Sequence, residues 1–227
     1  LRMSGKKLDI NSNSLLYIGI NQNYGALKQN ELRQALSSGI DRSRVCQNIY
    51  YNNAVSATGF FHPSWEDVKS VQNIQIEANS QITIENLEKI GYNSLGVGAK
   101  SLKFTMLVNS ENRTRVACAQ LIASQLSAYG IEIQIIEKSY DKYLESLKEG
   151  NFQLFLGEIK LTDNMDISSM VTDGGSAAFG LLKPDDKKPE ATENKNTDTV
   201  VPPVEEKGKT SGEVVSGFYE GQNTISD

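Results

Sequence analysis

Between Leu102 and Leu156 the spacing of hydrophobic residues changes period at each turn of the chain. Leu102, Phe104, Met106 and Val108 alternate with Lys103, Thr105 and Leu107, the period-two pattern of a strand with at least one buried face. From Arg113 the period lengthens. Val116, Ala119, Ile122, Ala123 and Leu126 fall on one side of a helix, and Gly130 supplies the left-handed residue that ends it. Ile131, Ile133 and Ile135 alternate with Glu132 and Gln134, which predicts a β-branched strand. Ser139 then suits the N-cap of a short helix carrying Tyr143, Leu144 and Leu147 and closed by Gly150. Phe152, Leu154 and Leu156 make a third strand. Strands that alternate with helices predict an α/β fold, a mixed and partly parallel sheet flanked by helices.

The first hundred residues hold shorter pieces. Leu15 to Ile20 reads as a strand, and Leu27 to Leu36 as a helix with Leu32, Ala35 and Leu36 inward, stopping at Gly39. Asp41 is the expected N-cap of a second helix that turns Val45, Ile49 and Cys46 inward. Gly59 and Pro63 mark a loop, and Leu87 and Ile90 lie on a helix ended by Gly91. Apolar residues thin out after Leu182. The expected organisation is one α/β body over residues 1–182, a low-complexity disordered insertion over 183–213, and the start of a truncated helical segment of the same body over 214–227.

Charge narrows the function classes. Lys183 to Asp227 holds ten acidic and six basic residues, most of the chain's net charge of −5, so the body is nearly neutral. Nucleic acid is not an expected partner, because that binding needs clustered Lys and Arg. Arg33, Arg42, Arg44, Arg113 and Arg115 read as solvated helix faces. Cys46 and Cys118 sit in predicted helices and read as two buried thiols, with a disulfide left open; a single histidine argues against zinc. No run of eighteen apolar residues and no signal-peptide core occurs. No nucleophile-and-base set, phosphate loop or metal motif is legible, so the reading is non-enzymatic, with no cofactor. GVGAKS at 96–101 precedes a strand and reads as a connecting turn. His62, next to Pro63, reads as a loop residue, and Trp65 as an aromatic binding candidate.

Four segments in order resemble one family. NELRQALSSGIDRSRV, ENLEKIGYN, QLSAYGIEIQI and YDKYLESLKEGNFQLFLGE resemble signatures of the extracytoplasmic solute-binding proteins of oligopeptide and nickel ABC transporters, over about Leu15 to Ala178. The resemblance implies one lobe of a periplasmic-binding-protein-like, type II clamshell, the second of two. It further implies capture of a peptide or similar small solute between this lobe and a first lobe of the same protein, with an ABC permease in the membrane as partner. An extracytoplasmic site, periplasmic or lipoprotein-anchored, follows, and the limits at Leu1 and Asp227 fit an excised domain. A sensing lobe of a transcriptional regulator, or a surface interaction module without ligand binding, remains the alternative. Peptide-binding members often carry Gly-Trp-x-x-Asp-Tyr after the last strand, their aspartate pairing with the peptide amine. Here Glu158 stands at the tryptophan position and Leu161 at the aspartate position. Either Asp163 takes over the amine or the ligand lacks a free N-terminus; Glu158 and Lys160 are ligand candidates or an alternating strand edge. Tyr24, where the resemblance places the chain's entry near the cleft, is a second aromatic candidate.

Overall fold

The computed structural model describes residues 12–57, 59–61, 77–92, 101–172 and 175–180, and the backbone of 212–220. His62, Trp65, most of GVGAKS and residues 183–211 of the expected insertion lie outside these. The strands are β1 (Ser14–Asn21), β2 (Val55–Ser56), β3 (Leu102–Asn109), β4 (Ile131–Lys138), β5 (Leu154–Lys160) and β6 (Gly212–Glu220). The helices are α1 (Asn30–Ser38), α2 (Arg42–Asn48), α3 (Ser80–Lys89), α4 (Arg113–Ser127), α5 (Tyr140–Glu149) and α6 (Ser168–Val171). The strands form one six-stranded sheet in the order β2-β6-β1-β5-β3-β4.

The relay from β3 to β5 builds the parallel half, with β3 pairing in parallel with both β4 and β5. Asn112 caps α4 by accepting from Arg115 N–H at 3.1 Å. Gly130 and Gly150 both take φ of 74°, the left-handed turn expected of them. The step from β3 to β4 goes one way across the sheet and that from β4 to β5 returns. Right-handed crossovers therefore put α4 and α5 on opposite faces. On the α4 face Leu16, Ile18, Ile20, Leu32, Val45, Leu87, Met106 and Ile122 form the main core. On the other face Tyr17, Leu107, Tyr143, Leu147, Phe152, Phe155 and Met170 pack together.

The antiparallel half rests on β1, which pairs with β5 on one side and β6 on the other. The segment Val214–Tyr219, expected to be helical, is strand. Adjacent valines and a Phe-Tyr pair favour a pleated ribbon, and Gly217 between them weakens any helix through the segment. Gly212 and Glu213 accordingly belong to the sheet, not to the low-complexity insertion.

Register in this half is fixed by two exchanges. Gly19 lies opposite Phe155, and Tyr17 opposite Gly157. A methyl group on Gly19 would overlap the Phe155 ring, and one on Gly157 would come within 2.7 Å of both Phe155 and Tyr17. The Phe155 ring, 1% exposed, meets Tyr17 edge to face at 5.6 Å and Phe152 at 5.1 Å.

Three arginines depart from the solvated reading: Arg33 is half-buried and donates to the carbonyls of Leu27 and Lys28. Arg42 is buried, and its guanidinium donates to the carbonyls of Ser37 and Ile40 and to Ser37 Oγ, tying α2 to the end of α1. Burial lowers its pKa to about 10. Arg115 is half-buried. Cys46 and Cys118 are both buried thiols and form no disulfide with each other, and burial pushes the Cys46 thiol up to about 11.

Gly19→Ala should destabilise the protein by about 1–3 kcal/mol in denaturant unfolding. Combining it with Phe155→Leu should cost less than the two separate losses summed, because the ring is what the new methyl meets. Additive losses would refute the exchange. Neither thiol should react with a thiol reagent at pH 8 in the native state, and both should react in denaturant.

Candidate functional site

In α/β sheets the carboxyl ends of the parallel strands form the edge at which ligands bind. Here that edge takes the ends of β3 at Asn109, β4 at Lys138 and β5 at Lys160. The chain also enters and leaves the sheet there, because Ser14 lies opposite both Lys160 and Glu220. The first turns of α4 and α5 rise from the same edge.

Local polar turns set its shape. Asn109 Oδ1 accepts from Glu111 N–H at 3.0 Å, and Ser110 N–H donates to Lys138 O at 2.8 Å. Glu111 then reaches across to the start of α5, its Oε1 accepting Tyr140 N–H at 3.0 Å. After β5 the chain makes a tight, internally bonded loop. Met165 N–H donates to Thr162 O at 2.9 Å, Asp166 N–H to Thr162 Oγ1 at 3.2 Å, and Asp166 Oδ1 accepts Ser168 N–H at 2.8 Å. The Ser168 contacts hold the Asp166 carboxyl below its ordinary pKa.

The sequence candidates fall in three places. Glu158 and Lys160 belong to β5, which runs four residues past the Leu156 end expected for it; they pair with β1, whereas the pairing of β5 with β3 stops at Phe155. Glu158 faces the α4 side and forms an ion pair with Arg115, each side chain 18% exposed. Arg115 Nε is buried without a hydrogen-bond partner among the described residues. Lys160 and Asp163 are exposed, and Asp163 receives a 3.5 Å contact from Asn13 Nδ2. Tyr24 is not with them. It follows the far end of β1, roughly 20 Å away along the strand, half-buried against the main core, with its hydroxyl pKa raised by burial. Trp65 lies outside the described residues.

Leu161, at the position where the resemblance expects an aspartate, is 3% exposed. It packs with Leu15, Ala57 and Met165 in an apolar cluster just behind the edge. A carboxylate there would be desolvated with no cation among the members of that cluster. Two further tyrosines close the other face: Tyr143 donates to Leu156 O at 3.0 Å, and burial holds the hydroxyls of Tyr17 and Tyr143 far above the ordinary tyrosine pKa. Sequence reasoning missed Arg115 and Asn13. Arg115 sits three residues after its cap, where only the fold shows that Glu158 is within reach.

Among the described residues no group of His, Cys, Asp and Glu is arranged to hold a metal ion, and no helix is long and apolar enough to cross a membrane. Residues 3–179 match the family model described as bacterial extracellular solute-binding proteins, family 5 Middle. The oligopeptide-binding protein AppA of Bacillus subtilis is 28% identical over 135 residues, which are 56% of this chain and 25% of that protein. The chain thus spans about a quarter of the length of this curated relative. The structure of B. subtilis AppA in complex with a nonapeptide superposes with a TM-score of 0.63 at 23% identity, covering 73% of this chain and 36% of that one. NikA from Brucella suis in complex with Fe(III)-EDTA gives a TM-score of 0.64 at 14% identity, covering 76% of this chain and 36% of that one. These two likenesses show a shared fold.

Glu158→Gln should lower stability by about 2 kcal/mol, since it leaves a half-buried guanidinium without its counter-charge. The double replacement Arg115→Leu with Glu158→Leu should recover most of that loss. Equal instability in the single and double variants would show that the pair is not what stabilises the edge.

Proposed function

The chain belongs to the bacterial extracellular solute-binding proteins, family 5, and from that premise we propose that it is one lobe of a two-lobed receptor capturing an oligopeptide for an ABC importer. The observation that carries this reading is the single polar edge. The carboxyl ends of β3, β4 and β5 gather there, beside the two passages at Ser14 and Glu220 by which the chain joins the sheet. A first lobe facing this edge would bury a solute between the two, with closure shifting the population toward a form that the permease engages. The relative named as an oligopeptide-binding protein, and its complex with a nonapeptide, support a peptide-sized solute.

Within the edge, Asp163 is the acid that meets a peptide ammonium. Glu158 is neutralised by Arg115, Glu111 and Asp166 each already accept a backbone N–H, and Leu161 is buried. Asp163 is exposed and, among the described residues, has its long contact with Asn13. Lys160, exposed on the same edge, is placed to meet a carbonyl or carboxylate of the solute.

Asp163→Asn in the two-lobed protein should weaken binding of free-amine peptides about tenfold, the loss of one charge-assisted contact. Binding of the same peptides N-acetylated should be unchanged. Calorimetry that finds both peptide forms affected alike would remove Asp163 from this role. This lobe alone should fold and bind peptides far more weakly than the two-lobed protein; tight, saturable binding by the lobe alone would refute the two-lobe account.

A further inference from the structure

Tyr51 is out of keeping with the chain around it. It is 79% exposed, and its backbone φ is 52°, followed by 63° at Asn52. Left-handed backbone strains any L residue with a bulky side chain, and glycine or asparagine is the ordinary occupant. The turn itself is firmly held. Asn52 N–H donates to Cys46 O at 3.0 Å and Asn53 N–H to Tyr50 O at 2.8 Å, while Tyr50 is buried in the main core. Strain of this kind is retained where something over-determines it. Among the described residues the Tyr51 ring belongs to none of the hydrophobic clusters.

Its position points to what does. Val55 of β2, itself 45% exposed, follows four residues later and pairs with Tyr219, next to Glu220 at the polar edge. β2 therefore begins at the end of the sheet where Ser14 and Lys160 lie, and the Tyr51 turn leads into it. Strands β2, β6, β1 and β5 are consecutive, so β2 and β5 are three spacings apart, about 14 Å. An extended peptide covers that distance in about four residues.

Resting on the solute-capture reading above, we infer that Tyr51 is an aromatic contact for the far end of an extended oligopeptide, of at least about four residues, whose amine lies at Asp163. A rigid, exposed ring with a polar tip offers a flat apolar contact to side chains or backbone of varied sequence at small entropic cost.

The test uses the two-lobed protein and a random pentapeptide pool, with capture measured by equilibrium dialysis and mass spectrometry. Tyr51→Gly relieves the left-handed strain, so Tm should rise by about 2–4 °C, while capture should fall roughly tenfold. Tyr51→Phe should retain capture. Stability and binding thus move in opposite directions, which a purely structural tyrosine would not produce. Unchanged capture by Tyr51→Gly, or capture lost together with a fall in Tm, would overturn the inference while solute capture itself stands. A wild-type protein that captures no pentapeptide would remove both.

Discussion

The reciprocal seating of Phe155 on Gly19 and Tyr17 on Gly157 is the constraint on which the rest of the sheet depends. Both strands carry the same short phrase, an aromatic residue and then a glycine two positions on. Run antiparallel, the two phrases interlock in one register only. A slip of one residue would send every side chain of β1 to the opposite face, and it would set rings against branched side chains in place of glycines. The register that results puts Ser14 against Lys160. That single consequence brings the chain's entry, the end of β5 and the following loop to one edge.

What the edge offers a solute is then decided by what it has already used. A carboxylate near a helix N-terminus and an arginine in that helix's first turn make a natural anion-and-cation pair, and here Glu158 and Arg115 satisfy each other. Leu161 turns inward because its alternatives are worse: the neighbouring Leu15, Ala57 and Met165 offer apolar area and no counter-charge. Among the described residues the charged groups left exposed around the end of β5 are Lys160, Asp163 and Asp166, the last already accepting a hydrogen bond from Ser168 N–H.

Most elements were legible because helix and strand periods differ and the chain keeps to one at a time. The relay from Leu102 onward, the Asp41 cap and the left-handed glycines all follow from local chemistry that tertiary contacts did not override. The exceptions share a cause, which is distance along the chain. Val214–Tyr219 is strand because β1 and β2 receive it, and neither is near it in sequence. Arg42 looks like a solvated helix residue until the end of α1 is seen to lack donors for its last carbonyls. Tyr24, which the resemblance sets near a cleft, lies beyond the end of β1 opposite to Ser14, eight strand residues away from Lys160 and Asp163. Of the edge, the residue types were readable and their pairing was not.

The loop that follows β5 brings these points together. Its left-handed Met165 is buried as an apolar anchor, while Thr162 and Asp166 close the turn on its outer side. Asn13, also left-handed, approaches from the entering strand: Leu161 N–H donates to its carbonyl at 2.9 Å, and its side chain meets Asp163. The exposed acid is thus carried on a segment whose backbone is fixed from both sides before any solute arrives. Rigidity of this kind reduces the ordering cost of binding. On the two-lobe reading, a segment so fixed need not change shape to meet a solute, and the motion that traps it would belong to the approach of the other lobe.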